Sequence, residues 1–234
     1  MAHIGCRIYT EICRAAPELV ALFAGLPVAN IADNMNRIAC PEQGLLPLNS
    51  SPLLGTAFTV RCPGGDNLMM HKALDMAKPG DIIVVSPEGH VNRALCGEIM
   101  IRYAMKRGLA GLVIDGAIRD ADAARKLDFP VYARSVQANG PYKNGPGEIN
   151  TPVSIGGAIV YPGDIIIGDG DGLVAVRAVE AGELAEKTRK TMEIESKSFA
   201  DIEAGTWARG WIDAKLAEVG CQVLNTTWDD SASA

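Results

Sequence analysis

The stretch Gly111-Leu112-Val113-Ile114-Asp115-Gly116-Ala117-Ile118-Arg119-Asp120 decides the fold class. It begins with an apolar run and ends with charged residues, and a similar apolar run occupies Asp81–Val85. Runs of this kind are typical of parallel strands that are covered on both faces. Between them, Glu98–Arg107 carries apolar residues at helical spacing. The order strand, helix, strand predicts an α/β domain.

The pattern extends outward in three zones. The first zone, at about Ile12–Pro47, contains two helices, Ala16–Gly25 and Val28–Asn36, and the third, at about Arg177–Gly220, is charged and helical. The middle zone, Gly55–Val176, alternates strands and helices and then becomes a strand meander. The remaining predicted strands are Ala57–Val60, Val131–Ala133, Val153–Ile155, Ala158–Tyr161, Ile165–Ile167 and Leu173–Val176, and the remaining predicted helices are Asn67–Met76, Arg119–Lys126, Val179–Ala204 and Ala208–Glu218.

Composition restricts the classes of partner. Hydrophobic residues make up 48% of the 234 residues and charged residues 21%, which is typical of a folded globular chain. The formal net charge of −6 argues against nucleic acid or an anionic membrane surface as a partner. The three histidines, His3, His71 and His90, cannot supply a zinc site built mainly from imidazoles. A metal, if bound, is expected to have oxygen ligands.

The cysteines and the apolar runs predict a cytoplasmic protein. No C-x-x-C pair occurs, so we expect free thiols in a reducing compartment. No signal peptide is visible, and no run approaches the ~20 apolar residues of a membrane span. The six cysteines are Cys6, Cys13, Cys40, Cys62, Cys96 and Cys221.

Several glycine-containing segments are predicted to be structural. Lys78–Ile83 and Tyr161–Ile166 both contain Pro-Gly-Asp-Ile-Ile, in which Pro-Gly suits a type II turn before a strand. Gly168–Gly172 precedes a strand and not a helix, which favours a tight turn over a dinucleotide-binding loop. The Asn139–Gly147 segment is a loop by composition, and its sequence fits a lid as well as a subunit contact.

Two segments form the principal candidate site: Gly97-Glu98-Ile99-Met100 and Arg119-Asp120. Each is predicted to open a helix at the carboxyl edge of the sheet, where ligands of α/β proteins bind. Free N–H groups at Ile99 and Met100 would face an anion, and Arg119 offers a fork suited to a carboxylate. Glu98 and Asp120 add oxygen ligands for a hard divalent cation. The alternative is a helix-end ion pair without a function.

A third segment, Cys62–Asn67, follows a strand and opens a helix. Asp66 or Asn67 is expected to be the N-cap of that helix. His71 lies one turn later and is either a structural histidine or a functional one.

At these residues the sequence resembles the RraA-like family, which includes the class II pyruvate aldolases acting on 4-hydroxy-4-methyl-2-oxoglutarate and 4-carboxy-4-hydroxy-2-oxoadipate. In the family pattern an acid, or a glycine in the ribonuclease-regulator branch, is followed by twenty residues and then Arg-Asp. Glu98, twenty residues and Arg119-Asp120 fit this spacing. The resemblance covers about residues 55–200, with supporting matches at Pro63–Asn67, Gly97–Met100, Gly111–Gly116, Pro162–Asp164 and Asp169–Gly172.

The resemblance implies an α/β/β/α sandwich of the swivelling phosphohistidine-like type. It implies one domain over residues 1–234, with a core at about 28–176 and a C-terminal helical arm at about 178–220. It also implies a homotrimer or, as a dimer of trimers, a homohexamer, with the metal site between subunits.

Residue roles follow from the same resemblance. Asp120 resembles the direct ligand of Mg²⁺, or of Mn²⁺ or another divalent cation, and Glu98 takes the place of an acid that orients metal-bound water. Arg119 would bind the pyruvyl oxygen and stabilise the enolate. After Gly97, the amides of Ile99 and Met100 would hold the pyruvyl carboxylate. Further residues with implied roles are Glu195 (through water, from a neighbouring subunit), Glu193 as its alternative, and Asn67 and His71 behind the site.

The implied activity is a metal-dependent lyase that cleaves a 4-hydroxy-2-oxo acid to pyruvate and a second oxo acid through a pyruvate enolate. The same enolate would permit oxaloacetate decarboxylation. The alternative is a non-catalytic regulator that binds ribonuclease E. The acid Glu98 favours the enzyme, because the regulator branch tends to have glycine there. Two departures are Glu98, where the aldolases usually have Asp, and an extra glycine in Pro63–Asn67.

Overall fold

A computed structural model describes residues 3–38, 40–41 and 44–228. The chain forms two compact units, Met1–Thr191 and Met192–Ala234. The strands are β1 (Cys6–Ile8), β2 (Leu46–Pro47), β3 (Leu53–Arg61), β4 (Asp81–Ser86), β5 (Ala94–Cys96), β6 (Gly111–Ile118), β7 (Val131–Val136), β8 (Gly147–Ile149), β9 (Val153–Ile155), β10 (Ala158–Val160), β11 (Ile165–Asp169) and β12 (Gly172–Val176). The helices are α1 (Pro17–Ala21), α2 (Val28–Asn34), α3 (Leu68–Met76), α4 (Glu98–Lys106), α5 (Ala121–Ala124), α6 (Ala181–Glu203) and α7 (Trp211–Glu218).

The centre of the first unit is a parallel run of four strands, in the order β3-β4-β6-β7. β1, β8 and β2 extend this path, while β5 pairs with β6 and the β11–β12 hairpin pairs with β3. Every residue of β4 and β6 is buried, as the apolar runs at Asp81–Val85 and Gly111–Asp115 predict. The predicted mixed α/β class is therefore confirmed.

Two apolar cores lie on the two faces of this sheet. On one face, α3, α4 and α5 contribute Leu74, Ile101 and Ala124 to a core with Ile114. On the other face, Val113 belongs to a core completed by residues of the β9–β10 and β11–β12 hairpins. Burying an aliphatic side chain of this size stabilises a fold by about 1.5–3 kcal/mol. The packing fixes the sheet from both sides.

The Pro-Gly-Asp turns have the predicted structural role. In one turn, an Asp81 carboxylate oxygen accepts the Lys78 N–H at 2.8 Å. In the other, an Asp164 oxygen accepts the Tyr161 N–H, also at 2.8 Å. The Gly168–Gly172 segment is likewise a turn, because it connects β11 to β12 in an antiparallel pair.

Some predicted boundaries are wrong. The predicted helix Ala16–Gly25 is reduced to α1, and the predicted helix Arg119–Lys126 is reduced to the four residues of α5. Asp120 has a positive φ of 56°, which no helical residue adopts. The short strands β1, β2, β5 and β8 were not predicted, because two or three residues give no periodic pattern.

The second unit contains the last part of α6 and all of α7. α7 has no buried residue. Within the described residues no helix is long and apolar enough to cross a membrane. All six cysteines are free thiols, in agreement with the sequence prediction.

Candidate active site at the carboxyl edge of the sheet

The two segments predicted to meet do meet. β5 ends at Cys96 and β6 ends at Ile118, and the two strands are parallel neighbours. The Arg119 N–H donates to the Cys96 carbonyl at 2.9 Å. The backbone therefore holds the residues after β6 beside the start of α4.

Asp120 lies directly over the N-terminus of α4. Its Oδ2 accepts the N–H of Glu98 at 3.0 Å. Gly97 makes this approach possible, since a Cβ atom there would lie 2.5 Å from Asp120 Oδ2. The left-handed conformation of Asp120 is one that aspartate tolerates better than most residues. The partial positive charge of a helix N-terminus favours this carboxylate.

Arg119 and Asp120 are both accessible. Arg119 Nε lies 3.8 Å from Asp120 Oδ2, and the two side chains are 47% and 45% exposed. The Nη1 atom of Arg119 faces Gly140, and a Cβ atom added at Gly140 would lie 3.2 Å from it. The guanidinium therefore lies between Asp120 and the Asn139–Gly147 loop.

The Glu98 side chain is directed along its own helix. Its Oε1 accepts the Nε–H of Arg102 at 2.7 Å, one turn later in α4. Glu98 thus contacts Asp120 through its backbone N–H and not through its carboxylate. In the described ranges, no group of three or more His, Cys, Asp or Glu side chains is arranged to hold a metal ion.

The start of α4 offers fewer free N–H groups than expected. The Met100 N–H donates to the Gly97 carbonyl at 3.1 Å, which closes the first turn. No acceptor in the described part of the chain pairs with the Ile99 N–H. The expectation of two free amides is therefore corrected to one, at Ile99.

A cleft of about 150 Å³ connects these groups. It is smaller than the ~300–1,000 Å³ typical of pockets for drug-sized ligands, which favours a small metabolite. Of the residues singled out in the sequence, its wall contains Asn67, His71, Gly97, Ile99, Met100, Arg119 and Asp120. The sequence did not single out Cys96, Pro141 and Lys143, which also line it.

The Asn139–Gly147 loop forms a fixed wall of the cleft. The buried Asp66 accepts the backbone N–H groups of Asn144 at 2.6 Å and Gly145 at 3.1 Å through Oδ2. Lys143 is adjacent to these anchored amides and lines the cleft. The sequence signal that could have pointed to Lys143 is a single cation in a segment of glycine, proline and asparagine.

Arg93 provides a second attachment for the same loop. Its guanidinium carbon lies 4.2 Å from the centroid of the Tyr142 ring, an arrangement that cation–π attraction stabilises. Arg93 also donates to the Gly140 carbonyl at 3.0 Å. These contacts hold the loop against the cleft, and its role as a lid or as a subunit contact stays a prediction.

The titratable side chains that line the cleft differ in charge at neutral pH. Partial burial, and then the nearby Lys143 cation, lower the pKa of His71, so its imidazole is neutral at pH 7. Burial raises the pKa of the Cys96 thiol to about 12, so the thiol stays protonated and unsuited to nucleophilic attack. The positive charges at the cleft are therefore those of Arg119 and Lys143.

Asn67 precedes α3, but its side chain does not cap that helix. Asp66 Oδ1 accepts the Leu68 N–H at 2.9 Å instead. The Asn67 carboxamide turns toward the other segment, and its Nδ2 donates to the Leu95 carbonyl at 2.7 Å. Asn67 thus links the start of α3 to β5.

Glu193 and Glu195 both lie on α6, in the second unit. A contribution of Glu195 from a neighbouring subunit stays a prediction.

A larger depression, of about 410 Å³, is lined by residues of α2, β2 and the β11–β12 turn. Cys40 and Asp171 are the titratable side chains in its wall, and no described cation accompanies them. The smaller cleft, which is lined by Arg119, Asp120 and Lys143, is therefore the better candidate for an active site.

A family profile described as "RraA-like: Aldolase/RraA" matches residues 28–175, and the chain belongs to this family. It is 35% identical over 178 residues to a protein of Halalkalibacterium halodurans named "Putative 4-hydroxy-4-methyl-2-oxoglutarate aldolase"; the match covers 76% of this chain and 85% of that protein.

Solved structures agree with this assignment. The fold is similar to an uncharacterized protein from Pseudomonas syringae pv. tomato, with a TM-score of 0.75, 26% identity, and coverage of 83% of this chain and 92% of the other. It is also similar to RraAS2 of Streptomyces coelicolor, described as an unusual member of the RNase ES inhibitor RraA protein family. There the TM-score is 0.72 with 26% identity, covering 80% of this chain and 98% of the other.

Proposed function

We propose that this RraA-like protein is a divalent-metal-dependent lyase. Its substrate is a 4-hydroxy-2-oxo acid of the 4-hydroxy-4-methyl-2-oxoglutarate type, cleaved to pyruvate and a second oxo acid. The observation that carries the proposal is the meeting of Arg119, Asp120 and the Ile99 N–H in one cleft. Together they offer cationic and N–H groups for an anion beside one exposed carboxylate.

The chain's own groups account for binding of the pyruvyl half. The Ile99 N–H and the N-terminal dipole of α4 attract its carboxylate. Arg119 donates hydrogen bonds to the 2-oxo oxygen and stabilises the negative charge that this oxygen acquires as the C3–C4 bond breaks. Fixed donors are effective here because they need no reorganisation during the reaction.

The donor chemistry of the site fits Mg²⁺, or Mn²⁺ or another hard divalent cation. Such ions are commonly held by one or two carboxylates with several waters, and Asp120 offers an exposed carboxylate, 45% accessible. Asp120 would hold the ion directly, with Glu98 and a partner subunit's Glu195 acting through water. The bound cation would act as a Lewis acid on the 2-oxo acid. Oxaloacetate decarboxylation would use the same groups.

Lys143 adds a contact for the far end of the substrate. Its ammonium group belongs to the wall formed by the anchored loop, and Arg119 belongs to the other segment of the cleft. A dicarboxylic substrate whose pyruvyl half lies at the Ile99 N–H and Arg119 would place its second carboxylate near Lys143. The site therefore favours diacids over pyruvate alone.

The proposal includes a homotrimer or homohexamer in the cytosol. The second unit exposes large apolar side chains that a neighbouring subunit would cover, namely Ile194, Phe199, Trp207, Trp211 and Trp228. Six free thiols agree with a reducing compartment.

A coupled pyruvate-release assay tests the proposal. 4-Hydroxy-4-methyl-2-oxoglutarate and oxaloacetate are each supplied with Mg²⁺, with and without EDTA. Turnover that EDTA abolishes and Mg²⁺ restores is expected. Absence of EDTA-sensitive turnover with both substrates would contradict the enzyme proposal.

The second candidate is a non-catalytic regulator of ribonuclease E. The structural similarity to RraAS2, whose family is described as RNase ES inhibitors, is the observation that favours it. Co-sedimentation with ribonuclease E separates the two functions. Binding without pyruvate release would support the regulator.

A further inference from the structure

The imidazole ring of His90 lies against the backbone of Gly64 and Gly65. A Cβ atom added at Gly64 would lie 2.8 Å from Cγ of His90 and 2.9 Å from its Nδ1. A Cβ atom added at Gly65 would lie 3.3 Å from Nε2 of the same ring. The φ of Gly64 is not positive, so the ring, and not the backbone conformation, excludes a side chain there. The glycine pair in Pro63–Asn67, a departure from the family pattern, thus makes room for His90.

The ring acts through contact, on a backbone that is itself held. Its Nε2 is buried and has no hydrogen-bond partner in the described part of the chain. The His90 N–H donates to the Pro87 carbonyl at 3.2 Å. Behind it lies β6, since a Cβ atom added at Gly116 would be 2.9 Å from the His90 carbonyl oxygen. His90 therefore packs the Gly64–Gly65 backbone against a loop that rests on the central sheet.

The backbone supported by His90 carries one wall of the cleft. The Gly65 carbonyl accepts the Tyr142 N–H at 2.8 Å, and Asp66 forms a parallel β-bridge with Tyr142. Oδ2 of Asp66 also accepts two N–H groups of the Asn139–Gly147 loop, those that directly follow Lys143. These bonds make the two segments move together, so a displacement of Gly65 also displaces Lys143.

We propose that His90 is a positioning residue, whose ring fixes the Gly64–Gly65 backbone and thereby the place of Lys143 in the cleft. This inference rests on the proposed lyase function, in which Lys143 binds the far carboxylate of the substrate. His90 itself does not line the cleft. It acts through Lys143, and its effect is on the affinity for a dicarboxylic substrate and not on the bond-breaking step.

Steady-state kinetics with 4-hydroxy-4-methyl-2-oxoglutarate and Mg²⁺ test this role. His90→Gly removes the ring and should raise KM about threefold to tenfold, because the contact with Lys143 is weakened. The kcat should stay within about twofold of wild type, since binding and not chemistry is affected. His3→Gly is the control, because it removes an exposed imidazole elsewhere. In a Lys143→Met background, His90→Gly should leave KM unchanged, and a further rise there would overturn the inference.

A double-mutant cycle tests the contact itself. Gly64→Ala should raise KM in the wild-type background, because the new methyl group displaces the ring. The three atoms nearest to that methyl group all belong to His90. Gly64→Ala should therefore have little effect in a His90→Gly background, and additive effects of the two changes would contradict the proposed contact. Gly170→Ala is the control, since no atom lies within 4 Å of its added Cβ.

Hydrogen exchange gives a readout that does not need turnover. The N–H groups of Asn144 and Gly145, which bind Asp66, should exchange at least about threefold faster in His90→Gly than in wild type. Wild-type protein without turnover contradicts the lyase function, whereas unchanged exchange of these amides overturns the role of His90 alone. If thermal melting shows that His90→Gly does not fold, unchanged KM and exchange in Gly64→Ala overturn it in the same way.

Discussion

The Asp120 carboxylate and the Glu98 N–H are hydrogen-bonded at 3.0 Å, although the two residues lie 22 positions apart in the chain. This bond joins the end of one parallel strand to the helix that follows its neighbour. It fixes the carboxylate through backbone geometry, independently of the Glu98 side chain. The first two predictions test this arrangement.

Asp120→Asn should separate the fold from the chemistry. Asparagine tolerates the left-handed conformation and still accepts the Glu98 N–H, so the thermal melting temperature should stay close to that of wild type. The loss of charge should reduce Mg²⁺-dependent pyruvate release by about a hundredfold or more. Wild-type activity in a folded Asp120→Asn protein would show that Asp120 is not the metal ligand.

Gly97→Ala should displace the Asp120 carboxylate. The added Cβ would lie 2.5 Å from Asp120 Oδ2 and 3.0 Å from Arg119 Cγ, so both side chains must shift. A shift of about 1 Å at a reacting group can cost about a hundredfold in rate. We expect kcat/KM to fall by about tenfold to a hundredfold. Gly170→Ala is the control, because no atom lies within 4 Å of its added Cβ, and equal effects of the two variants would argue against the steric explanation.

Arg93→Met should loosen the wall that carries Lys143. It removes the contact with the Tyr142 ring and the bond to Gly140 O, both of which hold the Asn139–Gly147 loop. KM for a dicarboxylic substrate should rise about threefold to tenfold, with little change in kcat. The matched control is Arg61→Met, whose exposed guanidinium pairs with the exposed Glu88. An unchanged KM in Arg93→Met would mean that the loop is held without this contact.

The stability of the first unit should depend on pH through Glu148. A hydrogen bond from Arg7 is the main cause of the lowered pKa of this buried carboxyl. A carboxyl with a lowered folded-state pKa stabilises the fold above its unfolded value, about 4.3, and loses this contribution as the pH falls through the folded value. Arg7→Met should therefore lower the melting temperature at pH 7 and have a smaller effect below pH 4. Thermal melts of the wild type and of Arg7→Met from pH 3 to 7 measure the difference in melting temperature between them. A difference that stays constant across this range would contradict the linkage.

The sequence predicted the central strands and the two segments of the site, because both signals are local. A fully apolar run such as Val113–Ile114 identifies a buried strand without reference to the rest of the chain. The rule that parallel strands end together placed both segments of the site at one edge of the sheet, although β5, the strand that carries Gly97 to this edge, was not predicted.

The remaining features depend on contacts between distant residues. Lys143 reaches the cleft because Asp66 binds amides 78 and 79 positions away, and no periodic pattern encodes such a bond. The left-handed turn at Asp120, which moves the start of the predicted helix Arg119–Lys126 to Ala121, was missed for a similar reason, since its hydrogen bond to Glu98 is non-local. The local sequence pattern therefore predicted the central strands, but it did not predict the contacts of single residues at the carboxyl edge of the sheet.

The direction of the Glu98 side chain affects how this scaffold can diverge. The N–H of residue 98 holds Asp120, while its carboxylate pairs with the exposed Arg102. Any residue other than proline can supply that N–H. Evolution can therefore exchange the side chain at position 98 while the carboxylate at position 120 keeps its place.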